Sequence, residues 1–280
     1  MLERIVIFIF GSIVGSFLNV CIHRLPLNES IVWPGSHCPQ CNKPIPWYLN
    51  IPLVSYLALL GKCRYCKKPI AFRYFLVELL TALTFLVFFM RYELKFEFFF
   101  YSLFVCGLII STFVDIQHRI IPDEISVGGM IAGFALVVLK TAWSGFQTAG
   151  LRPAQWGWFP AFDSLAGIIV GGGVIYATGF LFDLVYFKLL KKPPIQGETE
   201  SMGGGDVKLL AMIGAFLGWQ NALLTFFLAP FFGLIVGAAN MLIKKDHTIP
   251  YGPFLSLAAV IVLFWGPIII RPFIYLPCPY

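Results

Sequence analysis

Eight apolar runs dominate this chain, at roughly 5–22, 75–91, 97–114, 125–141, 163–187, 207–218, 220–243 and 253–271. A run of about 20 apolar residues is long enough to cross a bilayer as a helix. Lipid offers no partners to main-chain N–H and C=O groups, so only helices or closed barrels can span it. This one feature excludes nearly every soluble architecture. Composition agrees, with 59% of the 280 residues hydrophobic, 12% charged and a mean hydropathy of +0.83. Ordinary soluble domains are about 25% charged. The expected fold class is an all-α polytopic membrane protein of about eight transmembrane helices, although the run 207–218 is short for a full crossing. The first run lacks a small-residue cleavage site and a basic stretch follows it, so it is expected to be a retained helix and not a signal peptide.

The charges orient this path. The loops 23–74, 115–124, 188–206 and 244–252 hold Arg24, Lys43, Lys62, Arg64, Lys67, Lys68, Arg73, Arg119, Lys188, Lys191, Lys192, Lys244 and Lys245. The opposite loops hold far fewer, among them Arg91, Lys95, Arg152 and Arg271. Basic residues concentrate on the cytoplasmic side, so these four loops are expected there and both termini outside. The net charge of +6 reflects orientation and points to the lipid bilayer, not to nucleic acid. Glycines four apart (Gly11 and Gly15, Gly167 and Gly171, Gly214 and Gly218, Gly233 and Gly237) are expected to let helices of one bundle approach closely.

The loop 23–74 repeats itself. "CPQCNKPIPW" and "CRYCKKPIAF" both read C-x-x-C-x-K-P-I. Two such knuckles about twenty residues apart form a Zn-ribbon pattern, in which each turn presents two thiolates and the pair closes a tetrahedron. A module this small lacks a sufficient core, and metal binding supplies the missing free energy. The expected ligands are Cys38, Cys41, Cys63 and Cys66. Four thiolates fill the coordination shell, so the Zn is expected to be structural. The competing reading, two disulfides, conflicts with a cytoplasmic loop. Cys21, Cys106 and Cys278 lie in or near apolar runs and need no special role.

Carboxylates beside membrane helices are costly and are functional candidates. Asp115 follows an apolar run, and Asp206 opens another behind Gly203, Gly204 and Gly205 in "SMGGGDVKLL". On the path above both lie at one leaflet. Two adjacent carboxylates do not both ionise easily. Such a dyad can activate water with one member and protonate a leaving amine with the other. The glycines are expected to permit unusual backbone conformations and to leave room for an extended substrate. The blander readings are a helix N-cap for Asp206 and a solvated loop end for Asp115. Asp123, after Pro122, is expected to start a helix. Glu78 is placed near the metal module, where it could pair with Arg73. Asp183 is a candidate buried polar link, while His118 and His247 are read as loop residues and not as ligands. The segment "KLLKKPPIQGETESMGGGD", with little apolar surface to bury, is expected to be mobile without substrate.

From end to end the chain resembles the bacterial type IV prepilin peptidases, a branch of the GxGD membrane aspartyl proteases. The resemblance rests on the number and order of "GSFLNVCIHRLP", "CPQC", "NIPLVSYLALLGKCRYC", "FRYFLVELLTA", "VDIQHRIIPD", "GGGDVKLLAMIGAFLGWQ" and "IPYGPFLSLAA". It implies a catalytic pair at Asp115 and Asp206 and knuckle cysteines at Cys38, Cys41, Cys63 and Cys66. It further implies removal of the positively charged leader of prepilins or pseudopilins, after a glycine, at the cytoplasmic face of the bacterial inner membrane. Members with the cysteine-bearing loop typically also methylate the new N-terminus with S-adenosylmethionine. By elimination and by this resemblance, Gly61 and Glu78 are the candidates for the methyl-transfer neighbourhood. Where many relatives carry a second acidic residue two positions after the first aspartate, this chain has Gln117, which leaves the dyad intact. The expected division is a first helix 1–22, a metal-binding insert 23–74 and a protease bundle 75–280. The reading from a different class is an ion- or proton-coupled transporter using intramembrane carboxylates.

Overall fold

A computed structural model describes residues 1–148, 159–189, 203–243 and 250–270. All regular structure among them is helical: α1 (Leu2–Arg24), α2 (Val54–Ala58), α3 (Phe72–Tyr92), α4 (Phe96–His118), α5 (Asp123–Thr148), α6 (Phe159–Asp183), α7 (Gly204–Leu217), α8 (Trp219–Ile243) and α9 (Gly252–Ile270). A π-helical turn, Leu184–Leu189, extends α6. Among the described residues, six stretches are long and apolar enough to cross a membrane: Leu2–Leu27, Phe72–Tyr92, Phe96–His118, Asp123–Trp143, Pro160–Tyr186 and Trp219–Ala238. The protein is therefore a multi-pass membrane protein. At 14 residues α7 is roughly 21 Å long, short of a hydrocarbon core of about 30 Å. At 19 residues α9 is roughly 28 Å long.

The chain divides into two compact units, Met1–Val114 and Asp115–Tyr280. In the first, α1 and α3 pack through the predicted small residues. A Cβ on Gly11 would sit 2.9 Å from the Ala82 Cα, and one on Gly15 would sit 2.7 Å from the Glu78 Cα. The helices touch backbone to backbone there, and Asn19 adds a hydrogen bond from its Nδ2 to the Tyr74 carbonyl (3.0 Å). At the end of α1, buried Arg24 donates to the carbonyls of Ser30 (2.8 Å) and Pro34 (2.6 Å), which folds the start of the insert back onto the helix.

The second unit is built around α7, whose residues Leu209 to Leu217 are all buried. Gly167 and Gly214 meet backbone to backbone, and Gly171 lies against Leu210, so α6 and α7 nearly touch along their axes. On another face, Gly129 and Gly133 of α5 make room for Met212 and Phe216. Ser164 donates to the Ala215 carbonyl at 2.6 Å. The Gly214–Gly218 pair divides its labour: Gly214 packs, whereas Gly218 (φ +80°) turns the chain into α8. There the Asp163 carboxylate accepts the N–H of Trp219, the first residue of α8. Space for that carboxylate explains a glycine at 218, since a Cβ would collide with it.

Candidate functional site

The two knuckles of the insert are copies of one another at an offset of 25 residues. Cys38 and Cys63 each donate from the main chain to the carbonyl five residues on, at Lys43 (3.0 Å) and Lys68 (2.9 Å). Each also accepts from the residue four on, Asn42 (2.8 Å) and Lys67 (3.0 Å). Those last two residues share the left-handed conformation, φ +53° and +59°. Antiparallel bridges His37–Pro44 and Lys62–Pro69 close each turn. The sulfurs of Cys38, Cys41, Cys63 and Cys66 lie within 4.8 Å of one another. Cys38 Sγ and Cys66 Sγ are 3.9 Å apart, matching the ~3.8 Å edge of a tetrahedron with Zn–S bonds of about 2.3 Å. No disulfide joins them. Main-chain N–H groups of Cys66 and Tyr65 point at Cys63 and lower its thiol to about 6, favouring the thiolate a metal needs. A four-thiolate donor set in this geometry fits Zn.

Gly61 lies between α2 and the second knuckle with φ +67°, and its N–H donates to the Tyr56 carbonyl at 2.9 Å. A side chain here would strain the backbone and press on the Tyr56 ring, 3.0 Å from its hydroxyl oxygen. Tyr56 stacks against Phe72 and Phe75 of α3. Glu78 is buried, and its Oε2 accepts the Leu53 N–H at 2.7 Å, with Ser16 as a second donor. Its partners are thus the residue before α2 and a neighbour on α1, while Arg73, with which it could have paired, has its guanidinium 4.9 Å over the Tyr74 ring. Glu78 ties the insert to the helices that carry it.

In the second unit Asp115 and Asp206 come together from helices 91 positions apart in sequence. Asp115 is no loop end: it sits within α4, before its last turn, and is 6% exposed. Asp206 is not the cap of α7. That position is Gly203, with extended φ −68° and ψ 135°. Asp206 lies three residues on, its N–H donating to the Gly203 carbonyl at 3.1 Å. Its carboxylate is left to face Asp115, whose charge it feels.

None of the three glycines adopts a left-handed conformation, contrary to the expectation of unusual backbone. Their use is space. A Cβ on Gly205 would meet Ile121 Cβ at 3.2 Å, one on Gly203 would lie 3.6 Å from Asp206 Oδ2, and Gly204 faces open space. Asp123 does start α5, and both its oxygens receive Lys208 Nζ (2.6 and 2.8 Å), joining α5 to the first turn of α7.

Two neighbours of the pair carry no side-chain signal in the sequence. Gly252, the first residue of α9, donates its N–H to Asp115 Oδ2 at 2.9 Å. The half-buried Tyr251 faces Asp206; burial first, and then the Asp206 charge, lift its phenol to about 12. The only hint was a glycine set between aromatic and proline residues in "PYGPF", at the mouth of an apolar run. His118 is exposed at the end of α4. Asp183 is half-buried at the end of α6. His247, Cys278 and most of the segment expected to be mobile lie outside the described residues.

A helical, multi-pass membrane protein in which two carboxylates, Asp115 and Asp206, face one another carries the groups that an aspartate-dependent membrane enzyme would need. The comparisons narrow this class. A family model described as the bacterial peptidase A24 N-terminal domain matches residues 9–92. A second, the type IV leader peptidase family, matches residues 102–238. A prepilin leader peptidase/N-methyltransferase of Aeromonas salmonicida is 34% identical over 95% of this chain and 91% of its own length. Proteins of the same description from Pseudomonas aeruginosa (34%, covering 95% and 91%) and Legionella pneumophila (29%, covering 96% and 94%) are similar over the same extent. The chain belongs to the type IV leader peptidase family. No solved structure matches it significantly.

Proposed function

We propose that this chain removes the leader of prepilins or pseudopilins by aspartyl hydrolysis and then methylates the new N-terminus. The observation that carries the first half is the pairing of Asp115 with Asp206 at helix ends lined by glycine. Peptide hydrolysis needs a base for the water and an acid for the departing nitrogen, and one proton shared by two carboxylates provides both. Gly203 and Gly204, exposed and without side chains, leave a main chain against which the extended leader junction can lie. The cut falls after a glycine. S-adenosylmethionine supplies a sulfonium-bound methyl, and the enzyme's part is to hold a neutral amine in line with it.

In this reading 1–22 is the anchoring helix, 23–74 the metal-binding insert and 75–280 the protease bundle, with eight crossings. The eight are the six long helices together with α7 and α9, of which the 14-residue α7 needs thin or locally deformed bilayer. The excess of basic residues in the loops supports a position of the dyad and the insert at the cytoplasmic face of the inner membrane. Cys38, Cys41, Cys63 and Cys66 would hold a structural Zn. Gly61 and Glu78, at the joint of insert and helices, are the neighbourhood proposed for methyl transfer. The transporter reading is disfavoured because the carboxylates sit at helix ends and the relatives carry hydrolytic names.

The test is direct. Purified protein in detergent is given a synthetic prepilin N-terminal peptide, with and without S-adenosylmethionine, and products are weighed by mass spectrometry. A cut after glycine, and a further gain of one methyl only with the donor, is expected. An uncut peptide would refute the proposal.

A further inference from the structure

We infer that the main-chain N–H of Gly252 assigns the two aspartates their separate parts: Asp115 is the base that takes the proton from water, and Asp206 is the acid. This rests on reading Asp115 and Asp206 as the catalytic pair.

The bond from Gly252 N to Asp115 Oδ2 is 2.9 Å long and buried. An amide N–H can only donate, and a donated hydrogen bond stabilises the ionised form of a carboxylate over the protonated one. Gly252 opens a 19-residue helix, so this N–H is one of the amides left without an intrahelical acceptor, at the positive end of the helix dipole. Tyr251 caps that helix, its carbonyl receiving the N–H of Phe254 (3.0 Å) and of Leu255 (3.2 Å), which fixes the direction in which the Gly252 amide points. Space gives a second, independent argument. A Cβ on Gly252 would lie 2.7 Å from Asp115 Oδ2 and 3.3 Å from Ile121 Cδ1. Only glycine brings its amide this close.

Asp206 is placed differently. It is half-buried beside Asp115, with the Tyr251 phenol next to it. With one proton between two carboxylates, the amide donor to Asp115 leaves that proton on Asp206.

The steps then balance. Asp115 Oδ2 is engaged by Gly252, which leaves Oδ1 for the water. Water oxygen bonds to the carbonyl carbon of the scissile glycine while its proton passes to Asp115, and the carbonyl π pair moves onto oxygen. The carbon–nitrogen bond breaks as that oxygen re-forms the carbonyl and Asp206 gives its proton to nitrogen. The proton held by Asp115 then passes to Asp206, restoring the starting state. Gly252 touches neither water nor substrate; it is a positioning residue.

Two measurements on the full chain test this. The first compares a leader peptide with its analogue carrying an ester at the scissile bond, whose oxygen leaves with less need of an acid. Asp206→Asn should lose peptide cleavage by about 10³-fold but ester cleavage by only about tenfold, while Asp115→Asn should lose both by about 10³-fold. The reverse pattern, or equal losses on the ester, overturns the assignment and leaves the pair standing. Wild-type peptide cleavage by both variants would remove the pair itself. The second replaces the amide at position 252 by an ester, through incorporation of glycolic acid, which deletes the donor and adds no atom. A charge-assisted hydrogen bond of this kind predicts kcat lower by about 10- to 100-fold with KM within about twofold. Gly252→Ala should lose at least as much, and its melting temperature in detergent reports whether it folds. Where it does not fold, the ester variant decides. Unchanged kcat in the ester variant overturns the role of Gly252.

Discussion

The four cysteines and the two aspartates are assembled by opposite routes. Cys38 to Cys66 lie within one segment, and each knuckle is closed by hydrogen bonds among residues four or five apart. The second knuckle repeats the first down to the residue in left-handed conformation. Asp115, Asp206 and Gly252 come from three helices and span 137 positions. They meet only because Gly167, Gly171 and Gly214 let α6 and α7 close, and because Gly205 and Gly252 both leave room for Ile121. A locally built site announces itself as a motif. A site built by packing depends on residues that have no chemistry of their own.

The contrast is tested first where the expected effect is largest. Asp115→Asn and Asp206→Asn each keep the side-chain shape but cannot act as base or acid. Leader cleavage should fall about 10³-fold or more, while methyl transfer to a pre-cleaved peptide persists. Losses below tenfold would dissolve the comparison, since the packed site would then hold no chemistry. At the local site, elemental analysis should find about one Zn per chain in the wild type and almost none in a Cys38→Ser, Cys63→Ser variant. Equal metal in the two would show that the repeat is a fold without an ion.

Packing itself is probed by Gly214→Ala. Its new Cβ would run into the Gly167 backbone, which has no freedom to yield, and a cost of about 1–3 kcal/mol is expected from thermal unfolding in detergent. Gly204→Ala, which meets nothing, should stay within about 0.5 kcal/mol. Similar melting temperatures for the two would break the claim that close approach assembles the dyad. The mildest effect concerns pH. The acid must hold its proton to act, so it is present only on the low-pH side of its titration. Cleavage should decline by about tenfold per pH unit as pH rises along that limb. The same limb in Cys38→Ser would keep the two sites separate; a displaced one would join them.

Residues 38–70 were legible almost completely, because spacing alone fixes which thiolates a pair of tight turns can present. The helices were legible to within a few residues, for lipid demands long apolar runs. Asp115 and Asp206 could be singled out as carboxylates out of place, yet their surroundings could not. The sequence left Asp115 open as a solvated end and Asp206 open as a cap, and packing turned both into facing, sheltered groups. Glu78 was noticed, but its hydrogen bond to the Leu53 amide required the insert to fold back on α3.

By itself, then, the sequence determined what is local or set by solvent: the knuckles through short-range hydrogen bonds, and the spans through the cost of burying polar groups in lipid. The tertiary structure alone decided which glycines are spacers and which are turns, that Asp163 receives the first amide of α8, and that the Gly252 amide points at Asp115. Those depend on where helices cross, and a glycine without a side chain leaves no chemical trace of the neighbour it admits.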